Sequence, residues 1–201
     1  MYIHAVFGGI ALLSGLIALI LRKGSLPHII SGKVFFWFML SSALIALVVS
    51  CLPEHENPFL FSVGVFSSYL IITGKRAIRY KKFDISFTFD QIISVIMILT
   101  GLSMILVPII LESSLNIVLS VFGTFGIVLS IQDLIGFRNP EKLRKAYLQA
   151  HLGKMIGGYI AAVTAFIVVN QFFPPLIGWL GPTVVLTPII IFWTRKVKKP
   201  S

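Results

Sequence analysis

Charge is scarce in this chain. Of its 201 residues only 12% are Asp, Glu, Lys or Arg, about half the roughly 25% of an average soluble domain, so water is not the solvent for which most of it is built. Acids are scarcer still, at 7 against 17 Lys and Arg, giving a formal net charge of +10. The single cysteine, Cys51, excludes an intrachain disulfide and a thiolate zinc cluster, and reads as a small apolar residue near a helix end. No polar segment is long enough to fold by itself, so one membrane domain over residues 1–201 is expected. No basic region precedes the first apolar stretch and no cleavage pattern follows it, so that stretch is expected to stay in the membrane. The patterns GxSxG, GxxxxGK[ST], HExxH and paired CxxC are all missing. Ser67, Ser68, Ser113 and Ser114 lack the companions of a nucleophile and read as packing or turn residues.

What the chain has in quantity is hydrophobic sequence, 57% of it. A helix crosses a hydrocarbon core of about 30 Å in about 20 residues, since each residue advances about 1.5 Å. Seven apolar runs match that length: Tyr2 to Leu21, Val34 to Leu52, Phe59 to Ile78, Ile92 to Leu111, Leu115 to Ile131, Leu148 to Val169 and Pro175 to Trp193. The expected fold is an all-α integral membrane bundle of seven transmembrane helices. The third and sixth runs reach full length only by including Lys75 and Lys154 near one end, where a lysine can snorkel to the headgroups.

The basic residues sort cleanly among the links. Arg22, Lys23 and Lys33 follow the first run, Lys75 through Lys82 the third, Arg138 through Lys154 the fifth, and Arg195 through Lys199 the seventh. The remaining links, PEHENP, ESSLN and NQFFPP, hold no Lys or Arg and carry Glu54, Glu56 and Glu112. By the positive-inside rule the basic side is cytoplasmic, which places the amino terminus outside and the carboxyl terminus inside. Cations confined to short links argue for a lipid bilayer as partner and against nucleic acid, which would require a cationic folded face or tail.

Steps of three and four along the first run connect His4, Gly8, Ala11, Gly15, Ala18 and Arg22, a small-residue stripe that lets helices approach closely in lipid. The sixth run repeats it with Tyr147, His151, Lys154, Gly158, Ala161 and Ala165, and adds Gly153 and Gly157 at GxxxG spacing. Both helices are expected inside the bundle. Pro175, Gly178, Gly181, Pro182 and Pro188 are expected to kink or locally break the seventh run.

Ionisable residues bordering the membrane are where chemistry is sought first. His28, Asp90, Asp133, His151 and Lys154, with Gln91 and Gln132, all fall at the basic ends of their helices. Histidines on two helices at one depth can ligate a haem iron axially or, with Asp90 and Asp133, hold a divalent metal. PHIISGK and AHLGK each place a histidine at the mouth of a helix with Gly and Lys following, which suggests similar work for His28 and His151. The same residues permit three activities: redox chemistry on a b-type haem, transport or binding of a small solute or ion at Asp90 or Asp133, and metal-dependent lipid hydrolysis with His28, His151, Asp90 and Asp133 as ligands. On the other side, His4, Glu54, His55 and Glu56 form a weaker grouping that reads as a surface loop.

Through YIHAVFGGIALLSG, LPHIISGK and LQAHLGKMIGGYIAAVTAFIVVNQ the chain resembles a bacterial multi-span membrane family, domain of unknown function 2306. The resemblance matches His4, His28 and His151 to histidines that open helices in that family, and implies the bacterial cytoplasmic (inner) membrane. A fainter likeness links it to two-haem transmembrane cytochromes of the ascorbate-dependent ferric reductase type. Those use axial histidines at two depths; here the inner pair exists, whereas His4 has only the loop residue His55. That likeness implies a single inner haem and a redox or membrane-protein partner.

Overall fold

The computed structural model describes residues 2–198; Lys199 of the basic tail lies outside the described residues. Seven α-helices follow one another: α1 (Tyr2–Ile20), α2 (Leu26–Val49), α3 (Pro58–Ala77), α4 (Thr88–Glu112), α5 (Ile117–Phe137), α6 (Pro140–Val169) and α7 (Pro175–Lys198), with a 3-10 turn, Ile78–Lys81, after α3. Among the described residues seven helices are long and apolar enough to cross a membrane, and the chain reads as a multi-pass membrane protein. Large apolar side chains such as Leu13, Trp37, Leu99, Ile110, Phe125 and Val184 are exposed on their outer faces. This is the arrangement expected when the surrounding solvent is lipid rather than water.

Several helices begin earlier than hydropathy predicts. Helix α2 starts at Leu26 rather than Val34, and α6 at Pro140 rather than Leu148. The cause is capping: Ser25 accepts from the His28 amide, with a proline in the first turn. Asn139 accepts from the Lys142 amide ahead of Pro140, and Asn57 from the Leu60 amide ahead of Pro58. A side chain that satisfies a free amide, followed by a proline that needs none, starts a helix whether or not the next residues are apolar. Hydropathy marks the part of a helix suited to lipid; caps mark its ends. The early start of α2 puts His28 inside a helix, as His151 is in α6, and the helical backbone fixes the direction from which each ring projects.

Helix α3 is the centre of the bundle. It packs on α2, α4, α5 and α6, and 61% of its apolar window is buried, against 22% for α1 and 11% for α7. Its sequence suits this: Ser62, Gly64, Ser67, Thr73 and Gly74 are small or hydroxylic, poor against lipid and good for close packing. The expectation that α1 lies inside the bundle is corrected. Its stripe does face inward, with Ala11, Ser14 and Gly15 buried, but α1 stands at the edge, against α2 and, more lightly, α6. The Gly153 and Gly157 pair is corrected too. A Cβ on Gly153 meets nothing within 4 Å and one on Gly157 only ordinary contact with Leu70, whereas Gly158 presses on Ile71. Helix α7 is not broken; it continues through Pro182 and Pro188.

Helices α4 and α5 form an antiparallel hairpin whose backbones approach closely at two glycines. A Cβ on Gly101 would stand 2.8 Å from the Gly123 carbonyl oxygen, and one on Gly123 2.6 Å from that of Gly101. Farther along the same seam Gly126 faces Met97, and Ser94 and Ser130 are buried without hydrogen-bond partners. These positions favour small volume over bonding capacity.

Candidate functional site

The neighbouring helix lengths and the antiparallel packing gather the basic links at one end of the bundle. Lys23, after α1, stacks on Trp193 near the end of α7 with its Nζ 4.6 Å from the ring centroid. Just inside this end lies a cavity of about 200 Å³, bounded by α1, α2, α3 and α6 and open on one side. Its walls are apolar, including Gly15, Phe35, Phe36, Leu152, Met155 and Tyr159. The polar groups among its lining residues are those of His28, His151, Lys23, Lys33 and Lys75 and the Tyr159 hydroxyl.

The two histidines therefore line one cavity, a lateral proximity that the echo between PHIISGK and AHLGK and their shared depth leave undecided. Their hydrogen bonds add what spacing does not contain. His28 Nδ1 lies 3.0 Å from the Ala18 carbonyl oxygen of α1, and His151 Nδ1 lies 2.8 Å from that of Gly74 on α3. A carbonyl oxygen can only accept, so both Nδ1 atoms donate, and in each neutral ring Nε2 carries the free lone pair. Metal-ligating histidines show the same arrangement, in which the second nitrogen is pinned by a main-chain carbonyl and the ring is held in one tautomer.

Gly32 borders the cavity with open space where a Cβ would stand. Gly158 does not line the cavity and packs α6 on α3 against Ile71.

The aspartates lie elsewhere. Asp90, fully buried at the start of α4, accepts from Arg76 Nε at 2.7 Å and Nη2 at 2.6 Å, and from the Tyr80 hydroxyl at 2.9 Å. Asp133, near the end of α5, accepts from Lys154 Nζ at 2.5 Å and the Tyr69 hydroxyl at 2.6 Å. Neither acid lines the cavity. Among the described residues no three of His, Cys, Asp and Glu come together as metal ligands, so the set His28, His151, Asp90 and Asp133 is split into a histidine pair and two separately neutralised carboxylates. Lys154 does not snorkel; it is 8% exposed and serves Asp133. Sequence reading missed Arg76, Tyr80 and Tyr69 as partners of the acids. The available signal was the spacing of Arg76 and Tyr80, four residues apart and so on one helix face.

The three lysines at the cavity are held differently. Lys75 Nζ stands over the rings of Phe36 and Trp37, 3.6 and 4.7 Å from their centroids. Lys23 Nζ donates to the Ala18 and Leu19 carbonyls at 2.8 and 2.7 Å, closing the end of α1, and burial pushes its ammonium down to about 8. Among the described residues none of the three forms an ion pair.

On the other end of the bundle, His4 Nδ1 lies 3.0 Å from both the Ser42 carbonyl oxygen and its hydroxyl. Glu54, His55 and Glu56 are exposed in the link between α2 and α3. Comparison with family models, with curated proteins and with solved structures finds no match to this chain.

Proposed function

We propose that this chain is a multi-pass protein of the bacterial cytoplasmic membrane, with its amino terminus outside, and that it holds a b-type haem between His28 and His151 for membrane redox chemistry. The observation that carries the reading is the shared cavity in which both imidazoles have Nδ1 pinned to a carbonyl and Nε2 free. Between the two groups that such a pair can hold, the donor set favours haem. A porphyrin brings its own equatorial nitrogens and asks the protein only for axial ligands, while a bare divalent ion needs further protein donors and would be repelled by Lys23, Lys33 and Lys75. The apolar walls suit a macrocycle. A cavity of about 200 Å³ is smaller than the roughly 300–1,000 Å³ of pockets that enclose a ligand fully, so these walls would hold only part of a haem. A bound haem supplies one-electron chemistry; the chain's own contribution is to orient two imidazoles and exclude water around them.

Asp90 and Asp133, the alternative seat for a transported proton or cation, already have cations of their own in Arg76 and Lys154. Their geometry supports stapling α4 and α5 to α3 and α6. Full-length protein, purified in detergent from cells supplied with ample haem, is expected to give a Soret band and a reduced-minus-oxidised difference spectrum. His28→Ala and His151→Ala should each abolish both. A folded wild-type protein without a Soret band would sink the haem reading, and metal analysis of the same sample would show whether a bare ion takes its place.

A further inference from the structure

The cavity has a charge pattern that the histidines do not explain. Lys23, Lys33 and Lys75 come to it from the α1–α2 link, α2 and α3 respectively. All seven acids of the chain are accounted for without them. Asp90 and Asp133 are bound to other cations. Glu54, Glu56 and Glu112 belong to links at the opposite end of the bundle, and Asp84 and Glu141 do not line the cavity. Three lysines therefore line an apolar space with no acidic side chain of the described residues among them. Like charges brought together repel, and in surroundings of low dielectric the repulsion is weakly screened. Two of the lysines are tethered by what is at hand: Lys75 by the faces of Phe36 and Trp37, and Lys23 by two carbonyls. These tethers hold the charges in place without neutralising them.

We infer that Lys23, Lys33 and Lys75 form a receiving rim for carboxylate, and that the pocket selects an amphiphile with an apolar body and an acidic head. The inference rests on the same pocket being the ligand site. It goes beyond the haem reading by naming the anionic group the ligand must carry and the residues that bind it. Carboxylate on an apolar body is shared by a long-chain fatty acid and by the propionates of haem, and the two sources are separable by experiment.

The test uses full-length protein in nanodiscs of a zwitterionic lipid. Tryptophan fluorescence is titrated with a brominated long-chain fatty acid and, in parallel, with its methyl ester. Trp37 and Trp193 lie beside Lys75 and Lys23, so a bound quencher is read at the rim. Wild-type protein should respond to the acid at roughly tenfold lower concentration than to the ester, the ratio expected for about one charge-assisted contact. Lys33→Gln with Lys75→Gln should erase that preference, and Lys33→Arg with Lys75→Arg should keep it, which separates loss of charge from loss of fold. Equal response to acid and ester in wild-type protein, or an undiminished preference in the Gln variant, would overturn the inference.

A haemin titration followed at the Soret band distinguishes the two readings. A band that depends on His28 and His151 but not on the lysines leaves the haem reading standing and removes the rim. A lysine-dependent acid preference with no Soret band does the reverse.

Discussion

At Lys154 the chain places an ammonium group on a helix face that is 8% exposed, and the reason is Asp133, 2.5 Å away. A buried pair is not a large net source of stability, because both ions were costly to desolvate. Breaking it is another matter. Lys154→Met leaves the Asp133 carboxylate with only the Tyr69 hydroxyl, and should destabilise the protein by about 3–5 kcal/mol. Lys154→Met combined with Asp133→Leu should recover most of that loss, because no charge is then left unpaired. Thermal unfolding of both variants in one detergent checks the pattern; a double variant no more stable than the single would show that the pair contributes more than neutralisation.

Among the elements, the α4–α5 hairpin is held to itself by glycine and to the rest by charge. Gly101 and Gly123 let the two backbones meet, and in lipid such close packing replaces the hydrophobic drive that water would provide. Leucine at either position has backbone to displace rather than a flexible side chain. Gly101→Leu or Gly123→Leu is therefore expected to cost about 1–3 kcal/mol, as overpacking does. Gly9→Leu, where nothing lies within 4 Å of a Cβ, should be close to neutral. Equal melting temperatures for Gly101→Leu and Gly9→Leu would show that the α4–α5 crossing is not tight in the folded protein. The glycine stripes legible in the sequence were those of α1 and α6, because they recur at helical spacing within one run. The α4–α5 contact was not legible, because it pairs one glycine from each of two runs whose register follows from packing.

For the molecule as a whole, the sidedness drawn from the basic links has a direct check in the lone cysteine. Cys51 is exposed in the link between α2 and α3, on the side that the positive-inside rule places outside. A membrane-impermeant maleimide should label it in intact cells once the outer barrier is permeabilised, without lysis of the cytoplasmic membrane. Labelling only after lysis would reverse the topology. It would also move His28, His151 and their cavity to the outer leaflet.

The sequence by itself determined the number of spans and the gathering of charge in alternate links, because both are set by local composition against the fixed thickness of a bilayer. It also named His28 and His151 as an echoing pair, since the surrounding residues repeat within each segment. Tertiary structure alone decided which polar groups meet. At similar distances from the basic ends, His28 and His151 share a cavity while Asp90 and Asp133 turn to Arg76 and Lys154. Depth along a helix can be counted from sequence, but rotation and neighbours are chosen by packing. The central place of α3, the least hydropathic of the spans, has the same cause: in lipid the helix with the small and hydroxylic surface is the one best placed among other helices.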